Sequence, residues 1–192
     1  LHLLSRRQRQ MCIRDSFYFV QLANFMESKE IQPDSEWAAL REAQTKALKL
    51  DQVGMAVTID IGLADDIHPK NKQEVGRRLA LVALAGSYGK NVSGSAPVFR
   101  NYRIKGDKME LDFGQKQDGF QIKGTTLKGF TIAGPDRVFY PAEAMVQNGK
   151  IIVFSPEVSI PLAARYGWAD NPDCNLYGEN GLPVAPFRTD CW

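Results

Sequence analysis

The sequence predicts an α/β chain: the C-terminal end of a βαβ sheet domain followed by a β-sandwich-like domain. Three observations carry this. Between residues 17 and 90, two strand-like apolar runs alternate with two segments of helical periodicity, the pattern of a parallel sheet flanked by helices. Over residues 90–97 the composition shifts to Gly and Ser. From residue 96 to 192, short alternating runs are separated by turn residues, the pattern of a sandwich.

Residues 1–16 stand apart. Arg6-Arg7-Gln8-Arg9-Gln10-Met11-Cys12-Ile13-Arg14-Asp15-Ser16 reads as the translation of a sequencing adapter rather than native protein, and is excluded from fold reasoning. The segment is expected to make no core contacts. Its four arginines and one aspartate carry +3 of the formal +2, which leaves −1 for residues 17–192. The basic balance vanishes, and with it any charge argument for a nucleic-acid partner. A composition of 44% hydrophobic and 24% charged residues is that of a globular chain, and no apolar run reaches the length of a membrane span.

Phe17-Tyr18-Phe19-Val20-Gln21-Leu22 opens the native part as an apolar run that reads as a buried parallel strand. Such a strand needs neighbours on both faces, so the chain is expected to be a fragment of a longer protein. Asp34 or Ser35 caps the first helix, and Trp37, Leu40, Ala43, Ala47 and Leu50 follow at helical spacing. Arg41 and Gln44 lie one turn apart on it. Met55 to Asp60 reads as the second strand. Asn71 caps the second helix, with Glu74 three positions on as in a capping box, and Gly89 ends it. Beyond the linker, Tyr102–Lys105 and Met109–Phe113 form a hairpin about Gly106-Asp107. Ala144–Val146 and Ile151–Val153 form another about Asn148-Gly149. Leu127–Ala133 and Ile160–Trp168 are further strands, and the tail from Ala169 has little periodicity.

The candidate chemistry lies between the second strand and the second helix, in Asp65-Asp66-Ile67-His68-Pro69-Lys70-Asn71-Lys72. With His2 in the excluded segment, His68 is the one imidazole available near neutral pH. A histidine base needs a carboxylate on its far ring nitrogen. Asp65 offers it at Asp-x-x-His spacing, and Asp66 offers a second two residues before the ring. The spacing leans narrowly to Asp65 and leaves Asp66 open. Pro69 stiffens the exit and keeps His68 out of the helical region. An isolated Asp-x-x-His is also compatible with a loop histidine and two solvated aspartates.

Asp66-Ile-His-Pro-Lys-Asn-Lys-Gln-Glu-Val-Gly-Arg-Arg-Leu-Ala80 resembles the histidine block of bacterial sialate O-acetylesterases, SGNH/GDSL-like serine esterases. Phe19 to Phe25, Leu40 to Gln44, Arg165 to Pro172 and Gly181 to Asp190 are similar to other blocks of the same family. The resemblance implies an SGNH-like domain over residues 17–90 and a β-rich domain over 96–192. It implies hydrolysis of O-acetyl esters of sialic acid by a Ser-His-Asp mechanism, with His68 and Asp65 or Asp66 as catalytic residues. It implies an O-acetylated sugar as partner, no cofactor or metal, and a periplasmic or secreted location. Arg41 and Gln44 become candidates for propping the site, though an exposed polar helix face accounts for them at least as well. Arg165, Tyr166 and Trp168 become candidates for holding sugar, though an arginine paired inside a sandwich core accounts for them at least as well.

The family's nucleophile block, Gly-Gln-Ser-Asn-Met or similar, does not occur in this sequence, nor does Gly-x-Ser-x-Gly. Ser87, Ser93 and Ser95 fall at a helix end and in the linker, so no nucleophile is assigned, and the serine is expected upstream of Phe17. Two other readings remain open at this point: an acetylxylan esterase, and a non-catalytic carbohydrate-binding or structural β-module. With Cys12 excluded, Cys174 and Cys191 are either one disulfide or two free thiols.

Overall fold

The computed structural model describes residues 16–114 and 119–192. The adapter-like segment, with His2 and Cys12, lies outside the described residues except for Ser16.

Strand β1 (Phe17–Val20) pairs in parallel with β2 (Val53–Ala56), Phe17 opposite Val53 and Val20 opposite Ala56. Helix α1 (Glu36–Lys46) connects them, and helix α2 (Lys72–Gly86) follows β2. Ser35 caps α1 by accepting from the Ala38 N–H, and Asn71 caps α2 by accepting from the Glu74 N–H. Four details differ from the sequence reading. Among the described residues strand β1 has a single partner strand, and Phe17 is 64% exposed, so this strand is half-buried. The second strand ends at Ala56, because Val57 to Asp60 turns toward the His68 loop. The inward face of α1 is Ala38 and Arg41, whereas Leu40 and Leu50 point to solvent. The capping box at α2 is half made, because the Glu74 carboxylate turns to Arg77 and Arg78 instead of the cap.

The remainder is antiparallel. Strands β3 (Asn101–Lys105), β4 (Lys108–Asp112), β8 (Glu143–Gln147) and β9 (Lys150–Phe154) form one sheet in the order β3-β4-β9-β8. Strands β6 (Phe130–Ala133), β7 (Phe139–Pro141), β10 (Ala163–Tyr166) and β12 (Phe187–Arg188) form a second, ordered β12-β10-β6-β7. A short pair joins β5 (Phe120–Ile122) to β11 (Leu176–Gly178). Met109, Leu111, Ile151 and Val153 of the first sheet share one core with Phe130, Ile132, Ala164, Tyr166 and Phe187 of the second, the arrangement of a sandwich. Both expected hairpins form. Asn148 and Gly149 both adopt positive φ, as a two-residue turn with the twist of its strands demands.

The tail that looked aperiodic is largely buried. Leu176, Leu182, Val184 and Phe187 fill the core, and Phe187 stacks on Phe99 at 4.4 Å. The Gly/Ser stretch after α2 is also packed: Ala96 belongs to the same core, and a side chain at Gly94 would meet the Val82 backbone at 3.0 Å. Cys174 and Cys191 are free thiols, and burial pushes Cys174 up to about 12. Among the described residues no helix is long and apolar enough to cross a membrane.

Candidate active site

His68 sits on the loop that leaves β2 and enters α2. Both ends of this loop are held by side chains. At the entry, the Gly62 N–H donates to Asn24 Oδ1 at 2.6 Å and the Met26 N–H donates to the Ala64 carbonyl at 3.1 Å. A Cβ on Gly62 would lie 1.9 Å from the Asn24 carbonyl oxygen, so only glycine fits there. At the base, Arg78 of α2 grips both oxygens of Asp60, its Nη2 at 2.8 Å from Oδ2, and donates to the Val57 carbonyl at 2.8 Å and to Glu74 Oε1 at 2.7 Å. Asp60 precedes the loop and Glu74 and Arg78 follow it, so one buried guanidinium closes the loop's base.

At the tip, Asp66 Oδ1 accepts the His68 backbone N–H at 2.8 Å and lies 3.3 Å from His68 Nδ1. The backbone N–H holds the Asp66 carboxyl below its ordinary range. Asp65 is exposed and makes no side-chain hydrogen bond with another described residue. The His68 side chain is 82% exposed, so nothing packs the ring into one rotamer. The Asp66 contact at the ring is longer than the 2.7–2.9 Å of a charge-assisted bond, whereas its bond to the backbone closes a turn. No serine hydroxyl hydrogen-bonds the ring among the described residues. Acid and imidazole are therefore together on one loop, and the serine of a triad is not.

The other candidates lie elsewhere. Arg41 is fully buried and donates to four carbonyls, those of Leu22, Ala23, Ala169 and Asp170, at 2.7 to 2.9 Å. Burial lowers its pKa to about 10. Gln44 Oε1 accepts the Leu22 N–H at 2.9 Å. Both side chains fix the segment after β1. Arg165 pairs in bidentate fashion with Asp190 at 2.7 and 2.9 Å, lies over the Phe139 ring at 4.0 Å, and is 4% exposed. Tyr166 is buried, its hydroxyl accepting from the Leu176 N–H. Trp168 donates to the Pro33 carbonyl, and the guanidiniums of Arg165 and Arg188 lie over its ring at 4.9 and 4.8 Å. A cavity of about 400 Å³ beside them is lined by Ser35, Arg137, Phe139 and Trp192 as well. Within it, Arg165 and Trp168 are already engaged by the protein's own groups.

The sequence reading did not find Asn24, Asp60 or Arg78 as holders of the loop. The one local signal was the acid-arginine spacing of Glu74 and Arg78 on α2. That ion pair has a measurable consequence. Glu74 is held by Arg77, with further bonding to Arg78, which lowers its pKa from 4.5 to about 2. Its folded-state pKa lies below the unfolded one, so the stabilisation is present above pH 4.5 and is lost as pH falls toward 2. Glu74→Gln is expected to flatten the melting temperature across that window, read by thermal melts at stepped pH.

No family model matches the chain. Over 190 residues it is 27% identical to the sialate O-acetylesterase of Mus musculus, an alignment that covers 89% of this chain and 35% of that protein. The structure is similar to the crystal structure of a carbohydrate acetylesterase from Xanthomonas citri, with a TM-score of 0.85 and 47% identity, covering 92% of this chain and 41% of the other. The chain thus spans well under half of each relative. By sequence and fold the chain is similar to a part of a carbohydrate acetylesterase and to a part of a sialate O-acetylesterase.

Proposed function

We propose that this chain is the histidine- and aspartate-bearing part of a carbohydrate esterase that removes O-acetyl groups from sialic acid. The observation that carries the reading is the likeness to a solved carbohydrate acetylesterase at 47% identity over 92% of the chain, with His68 and two carboxylates on one braced loop. The likeness to a sialate O-acetylesterase supports the choice of sugar.

In this reading a serine from a segment outside the chain attacks the acetyl carbonyl. His68 takes the serine proton and passes it to the departing sugar hydroxyl. The acetyl-enzyme is then hydrolysed by a water that gives its proton to the same ring. Asp65 orients the imidazole. Its spacing suits that role, and Asp66 is already committed to the turn through the His68 N–H. The exposed ring turns toward Asp65 without breaking any packing contact. We place the SGNH-like part at residues 17–90 and the β-rich part at 96–192, and the protein in the periplasm or secreted. Arg165, Tyr166 and Trp168 then shape the β-rich part, and Trp168 offers at most one edge to a sugar.

The test is acetate release from O-acetylated sialic acid and from acetylated xylan. The chain alone is expected to release none from either. A longer form carrying the serine segment is expected to act on the sialic acid. Serine-dependent turnover by the chain alone would overturn the assignment of the nucleophile, and a preference for xylan would overturn that of the sugar.

A further inference from the structure

The His68 ring has no packing shell of its own, so its position is set by the two ends of its loop. Each end is backed by one side chain from the β-rich part. At the entry, Asn24 holds the Gly62 N–H, and the Asn24 amide in turn donates to Asn171 Oδ1 at 2.6 Å. Asn171 donates back to the Met26 carbonyl at 2.7 Å. At the base, the Tyr177 hydroxyl donates to Asp60 Oδ2 at 3.0 Å, the oxygen that also receives Arg78 Nη2. Arg78 and Asp60 are nearly dry, their side chains 5% and 9% exposed, so their geometry is set by these partners rather than by water.

Asn171 and Tyr177 lie more than 100 residues from the segments they hold, and neither touches His68. We infer that Asn171 and Tyr177 are positioning residues for the His68 loop, acting through Asn24 and Asp60, so that the β-rich part sets the placement of the base. The catalytic consequence rests on the esterase reading above, but the placement itself does not. Tyr177→Phe keeps the ring under Lys123 and removes the hydroxyl that Asp60 accepts. Asn171→Ala removes both the support of Asn24 and the bond to Met26.

The experiment has two arms. In the full chain, amide hydrogen exchange is followed by NMR. Each substitution is expected to speed exchange at residues 60–68 roughly tenfold or more, with the amides of β4, β9 and β10 unchanged. In the longer acetylesterase form, kcat is expected to fall roughly tenfold with KM within about twofold, since small misplacements of a base cost rate rather than binding. A purely structural role would instead speed exchange throughout the β-rich part. Unchanged exchange at 60–68 overturns the inference. So does loosened exchange with kcat unmoved in an active parent. Loosened exchange with a parent that hydrolyses no acetyl ester supports the braces and removes the esterase reading.

Discussion

Replacing His68 by alanine in the acetylesterase form is expected to lower kcat/KM by about 10⁴- to 10⁶-fold, because the serine then lacks both its base and the acid that releases the sugar. Stability is expected to change by no more than about 1 kcal/mol, as for other substitutions outside a core. The reason is visible at the residue: its side chain is 82% exposed, and among the described residues its one polar contact is Asp66. Kinetics on O-acetylated sialic acid beside a thermal melt separate the two effects. Near-normal turnover would remove the catalytic role from this loop, and outright unfolding would make the imidazole a structural group.

The opposite signature is expected at Arg41. Arg41→Ala leaves the carbonyls of Leu22 and Ala169 without a donor in a buried place, and takes one of two donors from those of Ala23 and Asp170, which keep Trp37 Nε1 and the Phe25 N–H. Each orphaned acceptor costs roughly 1–3 kcal/mol, offset in part by no longer burying a charge. The net loss is expected near 4 kcal/mol, which lowers Tm by roughly 10 °C in a chain of this size. Arg41→Lys is expected to recover only a fraction, since one ammonium cannot reach four carbonyls in the plane of a guanidinium. A melt within about 2 °C of the parent for Arg41→Ala would mean that the carbonyls find other donors.

Local signals were legible in the sequence. Ser35 and Asn71 cap the helices because a short polar side chain before a periodic run has an orphan N–H to accept. Gly106-Asp107 and Asn148-Gly149 turn the hairpins because Gly106, Asn148 and Gly149 tolerate the positive φ they adopt there. The His68 loop was legible through its residues and their family likeness. The supports of the loop were not. Arg41, Asp60 and Arg78 are satisfied by groups distant in sequence, and helical spacing alone marks Arg41 as an exposed polar position. Strands β5, β7, β11 and β12 span two or three residues each, too few for an alternation to register. Leu182, Val184 and Phe187 each adjoin a proline, so the tail's contribution to the core comes from tertiary packing and has no period.

The most direct test of the account compares Asp65→Asn with Asp66→Asn in the acetylesterase form. Asparagine at position 66 still offers an oxygen to the His68 N–H, so the turn survives and only the charge is lost. Asparagine at position 65 removes the carboxylate that, in the proposed reading, orients the ring and stabilises its protonated form. The predicted result is a fall in kcat/KM of about 10³- to 10⁴-fold for Asp65→Asn and of less than roughly tenfold for Asp66→Asn, with Tm near the parent in both. The larger loss at Asp66 would make the 3.3 Å contact to Nδ1 the working pair. Near-parent activity in both variants would contradict the account, because neither carboxylate of this loop would then orient His68.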